Sequence, residues 1–235
     1  MLLNLFTTDN IMLELLSILI ALPALLFSLS AHEWAHGFAA YKQGDGFAKA
    51  SGRLTLNPFK HIDPLGTLLM LLVGFGWAKP VPVVPSNFKN GRKSMIIVSV
   101  AGVFTNLILA TISMFLLFFI QYIVFPNFSG LYSSENGFIF CGVILQVLSY
   151  LVILNINLAV FNLVPIPPLD GYKLFKEIFI GKISYTFFTN VERYSNMILL
   201  IFLIFSDRIG LIGFISSFIY DLMIKVMNLI FIAFI

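Results

Sequence analysis

The sequence predicts an all-α polytopic membrane protein. Three observations carry this. Of 235 residues, 59% are hydrophobic and only 11% charged, against about a quarter charged in soluble domains. Three long runs, nearly free of charge, exceed the roughly 20 apolar residues needed to cross a bilayer. Lys and Arg gather in particular connections between the runs, as a fixed membrane orientation requires. Such a chain is too apolar to be disordered. Its net charge of +3, without a basic run, gives no footprint for nucleic acid. Cys141 stands alone, which excludes an intrachain disulfide and a cysteine-based zinc site; it reads as a small buried hydrophobe.

The elements follow in order. Ile11–Ala31 is the first span, with Glu14 its single charge. The ten residues before it lack Lys and Arg, so a cleavable signal peptide is not expected. Leu65–Trp77 is apolar but only 13 residues long and ends at Gly74 and Gly76, which predicts a re-entrant segment. Met95–Phe125 and Phe138–Leu163 are uncharged spans. Ser195–Ile235 is long enough for two more, with Asp207, Arg208 and Gly210 at the turn and Tyr185–Tyr194 entering at the interface. The expectation is one transmembrane domain over 1–235, with a core at about 11–179 and two additional spans at about 186–235.

Lys42–Lys93 holds eight basic residues and Pro165–Ser184 three, while Pro126–Gly137 holds none. Both basic segments are therefore expected on the cytoplasmic side and the N-terminus outside. Positive residues flank Leu65–Trp77 on both sides, so that segment should leave and return on one face.

The first span runs into His32-Glu33-Trp34-Ala35-His36, an H-E-x-x-H pattern. On a helix, positions i and i+4 share a face, so two imidazoles reach one Zn²⁺. Glu33 flanks that face, where a carboxylate can take a proton from water. Ionisable groups at membrane depth are costly and mark function. The bland alternative is a helix end leaving the membrane among the headgroups.

Two histidines leave zinc short of the three protein ligands usual in a catalytic site. The remaining histidine is His61, and a carboxylate is the other choice. Asp170 is the best candidate: it follows the span that ends on the same side as His32 and His36. The prolines of Val164-Pro165-Ile166-Pro167-Pro168 break the helix there, and such backbone is tolerated where it lines a cavity. Asp170 could equally cap a short helix over Gly171–Phe179. His61 could be a fourth ligand, which would close the open position that hydrolysis needs; a structural role is the alternative.

The separated motifs together resemble the site-2 protease family of intramembrane zinc metalloproteases. They are His32 to Gly37, Gly52-Arg53-Leu54-Thr55-Leu56-Asn57-Pro58, His61-Ile62-Asp63-Pro64-Leu65-Gly66-Thr67, Gly74 to Val83, and Asn162 to Gly171. The likeness runs from about Ile11 to Phe179 and is to the compact bacterial branch without PDZ or CBS modules. It implies a site-2 protease-like helical core with a short re-entrant segment. It implies one Zn²⁺ per chain on His32, His36 and Asp170, with Glu33 as the catalytic base. It also implies substrate or oxyanion roles for Asn106 and Asn162, which otherwise read as interhelical hydrogen bonders. Ala101-Gly102-Val103 lacks the proline that the family pattern carries. The location implied is a bacterial inner membrane, with the active site toward the cytoplasm.

The expected reaction is peptide hydrolysis in single-span membrane proteins or remnant signal peptides, within the lipid bilayer. A helical substrate must unwind before attack, because its carbonyls are hydrogen-bonded. Lys49–Leu56 is expected to form a short strand or small β-hairpin near the site, and Trp77–Val84 to be extended by its prolines. Either edge could pair with unwound substrate. Two rivals are a catalytically idle binder of membrane segments and a metal transporter. The first would be favoured by loss of Glu33 or a ligand, and all are present. The second needs ligands near the midplane with polar paths on both sides.

Overall fold

The computed structural model describes residues 11–73, 76–128, 130 and 134–232. Its helices are α1 (Ile11–Lys42), α2 (Phe47–Ala50), α3 (Pro64–Val73), α4 (Gly91–Phe119), α5 (Phe125–Asn127), α6 (Glu135–Leu163), α7 (Asp170–Phe179), α8 (Tyr185–Arg193), α9 (Ser195–Ile209) and α10 (Leu211–Phe231). A π turn over Ile120–Val124 joins α4 to α5 without a break. Four stretches are long and apolar enough to cross a membrane: Ile11–Lys42, Gly91–Asn127, Glu135–Leu163 and Leu211–Phe231. This is a multi-pass, all-α membrane protein.

α1 outruns its apolar stretch. It continues through His32–His36 to Lys42, about 48 Å at 1.5 Å per residue, against a hydrocarbon core of about 30 Å. The histidines therefore sit on a continuous helix.

At the other end of the chain α10 is long and apolar enough to cross on its own, and the α8–α9 pair makes a fifth candidate span if it crosses as one. α9 has 15 residues and lies 68° from α8, so the two form one bent pair. The amphipathic composition of Tyr185–Arg193 accounts for the bend: its polar face cannot follow α9 into lipid. Gly210, in the left-handed region at φ 65°, ends α9 and opens α10.

α4 is the central helix, packed on α1, α6, α7 and α10. Its Ala110, Met114 and Phe118 meet Val152, Ile156 and Val160 of α6 and Met227 and Phe231 of α10 in one apolar core. Leu19, Phe104, Ile112, Phe140 and Phe218 face outward from these helices, as a lipid-covered surface requires.

α3 is too short to span, at 10 residues or about 15 Å. Asp63 Oδ1 accepts the Gly66 N–H at 2.9 Å and starts it. A Cβ on Gly76 would collide with the Gly66 carbonyl, and one on Gly66 with the Trp77 carbonyl. Gly76 and Trp77 thus lie back against the first turn of α3. Gly74 and Phe75 lie outside the described residues.

The expected β-hairpin over Lys49–Leu56 does not form. Phe47–Ala50 is one turn of helix, Gly52 turns the chain at φ 66°, and the Arg53 N–H closes back on the Ala48 carbonyl. Asp45 starts this turn by accepting the Phe47 N–H. A local cap takes the amide donors that a β-ladder would need. The sole β-pairing among the described residues is a bridge between Ile180 and Ile183.

Candidate metal centre

His32 and His36 lie one turn apart on α1, both buried. Asp170, also buried, opens α7, directly after the α6 span has unwound through its prolines. Gly171 permits that arrival: a Cβ there would strike the Leu163 and Val164 carbonyls at the end of α6. So α1, α6 and α7 bring the three side chains to one end of the bundle, as the sequence implied.

The geometry is tight. Asp170 Oδ2 is 3.1 Å from His32 Nε2 and 2.8 Å from His36 Nε2, and the two Nε2 atoms are 3.0 Å apart. Neighbouring donors on a tetrahedral zinc, with bonds of about 2.0–2.1 Å, stand about 3.3 Å apart. All three separations fall short of that spacing, by about 0.2–0.5 Å. The His36 Nδ1–H donates to the Val98 carbonyl of α4 at 2.8 Å. A carbonyl can only accept, so the proton sits on Nδ1 and the Nε2 lone pair faces the cluster. Lys173, one turn along α7, holds Asp170 Oδ1 at 2.9 Å, leaving Oδ2 to the imidazoles. Two imidazoles and one carboxylate oxygen converging this closely could hold a metal ion.

Gly102 of α4 forms the floor. A Cβ there would lie 2.5 Å from His32 Cε1 and 2.5 Å from His36 Nε2. No other residue leaves room for both rings, whatever becomes of the missing proline beside it.

Glu33 points to the flank of the same helix and is partly exposed. Its Oε2 accepts the Val81 N–H at 2.8 Å, and its Oε1 has no hydrogen-bond partner among the described residues. It lies outside the cluster of three, as a base rather than a ligand would. Val81 belongs to the extended segment 77–84, which crosses the face of α1.

The other expected residues divide. His61 is buried, its Nε2 bonds the Thr55 carbonyl at 2.8 Å, and it stands apart from the cluster. Asn106 is fully buried one turn beyond Gly102, and neither of its amide atoms has a hydrogen-bond partner. Asn162 donates to the Leu158 carbonyl of its own helix at 2.9 Å. Segment 77–84 has its amides of Lys79, Val81 and Val84 engaged by the His61 carbonyl, Glu33 and Asp45, which leaves little free edge for another strand.

Sequence reasoning missed Lys173, although its place three residues after Asp170 on a helix was a usable signal. It also missed the Val98 carbonyl and the Val81 amide, which are backbone groups with no residue signature.

A family model described as peptidase family M50 matches residues 20–206. "Putative zinc metalloprotease YwhC" of Bacillus subtilis is 46% identical over 154 residues, which is 66% of this chain and 66% of its own length. "Putative zinc metalloprotease Rip2" of Mycolicibacterium smegmatis is 31% identical over 152 residues, 63% of this chain and 52% of its own. The protein of that name in Mycobacterium tuberculosis H37Rv is 30% identical over the same shares. The chain spans between half and two thirds of the length of these curated relatives. No solved structure matches it.

Proposed function

The chain belongs to peptidase family M50, the site-2 protease family, and on that premise we propose that it is an intramembrane zinc metalloprotease. The observation that supports this most is the convergence of His32, His36 and Asp170 with Glu33 one residue away and outside the cluster. In this reading His32 Nε2, His36 Nε2 and Asp170 Oδ2 hold one zinc ion. The ion, when bound, supplies Lewis acidity toward the scissile carbonyl and toward water.

The rest falls to the chain's own residues. Glu33 accepts a proton from the attacking water at a carboxylate oxygen and passes it to the leaving amine. The Val81 amide keeps that carboxylate oriented, with Oε1 free for the transfer. The Val98 carbonyl holds the tautomer of His36, and Lys173 keeps Asp170 turned so that one oxygen faces the imidazoles. Asn106, buried and without a partner, supplies an amide for substrate backbone or for the developing oxyanion. Asn162 serves likewise once its Nδ2 leaves Leu158. The packed helices around the site bury the three side chains away from lipid.

The substrates are single-span membrane proteins or remnant signal peptides, unwound before attack. The Lys and Arg residues gather in segments 42–93 and 165–184, which adjoin the ends of α1 and α6 that lead to His36 and Asp170, and this supports cytoplasmic-side cleavage in an inner membrane. All the proposed ligands lie at that one end, which favours protease over transporter.

Reconstitution tests the reading. The purified chain in liposomes should cut a co-inserted single-span substrate. Phenanthroline should stop cleavage and added zinc restore it. Cleavage that persists without metal, or none after zinc is restored across a panel of single-span substrates, would contradict it.

A further inference from the structure

Arg53 is a charged side chain drawn inward without an acidic partner. It is half-buried, its Nε is sealed from solvent, and no carboxylate pairs with it among the described residues. The sealed Nε has no hydrogen-bond partner, so the bonding falls to Nη2, which reaches out at the surface. What it meets instead is backbone: Nη2 donates to the Lys79 carbonyl at 2.9 Å and to the Pro80 carbonyl at 3.1 Å. Charge-assisted bonds of this kind are about twice as strong as neutral ones.

Those two carbonyls immediately precede Val81, whose N–H holds Glu33 Oε2. The same short stretch is tied twice more. The Lys79 N–H donates to the His61 carbonyl at 2.7 Å, and His61, through its ring, is bound to Thr55, two residues beyond Arg53. Val81 itself is buried, with Cγ1 lying 3.0 Å from where a Cβ on Gly37 would stand. The sequence explains why fastening is needed. Lys79-Pro80-Val81-Pro82 cannot join a ladder, because two of its four residues lack an N–H. Without side-chain ties, nothing regular would fix the one amide that reaches Glu33.

We infer that Arg53 is a positioning residue for Glu33: it clamps the carbonyls of Lys79 and Pro80, and so aims the Val81 N–H that orients the carboxylate. The inference rests on the reading of Glu33 as the general base. Misplacing a reacting group by about 1 Å can cost about 100-fold in rate, so loss of the clamp acts on turnover rather than on substrate affinity or metal.

The test has two arms. The first needs no activity. Pro80 and Pro82 flank Val81, so a peptide covering Pro80–Pro82 carries a single exchangeable backbone amide, and hydrogen exchange there reads Val81 alone. In the wild-type chain that amide should be protected. Arg53→Ala and Glu33→Ala should each speed its exchange about tenfold or more, while α4 amides stay unchanged. The second arm measures cleavage of a single-span substrate. Arg53→Ala should lower kcat by about 10- to 100-fold with KM and zinc content kept, and Arg53→Lys should recover part of the loss. Unchanged Val81 exchange in Arg53→Ala, kcat within about threefold of wild type, or zinc lost in step with activity would each overturn the inference. A wild-type chain that cuts nothing while Val81 still responds to Arg53→Ala would count against the protease reading and leave the clamp standing.

Discussion

At the scale of the residue, the metal centre depends on what is small as much as on what ligates. Gly102→Ala would push a methyl to 2.5 Å from both imidazoles, so bound zinc in the purified variant should fall well below one per chain although no ligand is changed. Asp170→Ala should lower zinc as sharply, whereas His61→Ala should leave it near one per chain, because His61 bonds Thr55 and not the cluster. Metal analysis of the three variants decides among them; zinc lost from His61→Ala and kept in Asp170→Ala would exchange their roles. The convergence of the three proposed ligands was legible in the sequence because helical spacing pairs His32 with His36, and because Asp170 follows a span that ends on their side. The Val98 carbonyl and Val81 amide were not, since every residue carries those groups and the tertiary fold alone selects them.

At the scale of the element, the loop after α1 is organised by Asp45. It is fully buried and accepts from the Val84 N–H at 2.7 Å, the Asn87 amide at 2.9 Å and the Phe47 N–H at 3.1 Å. Burial pushes its carboxyl up, but these bonds, Val84 first, outweigh that and hold it below the ordinary carboxylate range. The sign follows: a lowered folded-state pKa stabilises above about pH 4, and the gain disappears as pH falls through the folded value. Thermal unfolding in detergent should therefore show Asp45→Asn less stable than wild type at pH 7, by about 1–3 kcal/mol, with the gap closing in acid. A gap that widens in acid would contradict this. The same residue explains why the β-hairpin was misread. Lys49–Leu56 has alternation enough for a strand, but an aspartate two residues before Phe47 and a glycine at φ 66° favour a capped turn locally. The long spans were legible because twenty uncharged residues have one solution in lipid. The interfacial entry at Tyr185–Tyr194 was legible from its polar residues, but the 68° bend that separates α8 from α9 has no residue signature such as Pro or Gly.

At the scale of the whole molecule, orientation and chemistry are tested separately. For the first, cysteines introduced singly at Asn127 and Lys89 in a Cys141→Ser background should differ in intact cells. Impermeant reagent should label the Asn127 site and spare the Lys89 site; the reverse would invert the orientation and place the metal centre at the outer leaflet. The chemical claim is that Glu33 is the base and not a ligand. Glu33→Gln keeps volume and polarity but cannot accept a proton, and losing a general base costs about 10²–10⁴-fold. The decisive measurement is zinc content and cleavage of a single-span substrate, taken on the same preparations of wild type and Glu33→Gln. Zinc should be equal in the two, with cleavage by the variant falling to the detection limit and uncut substrate held by it. Full cleavage by Glu33→Gln, or loss of its zinc, would contradict Glu33 as the base.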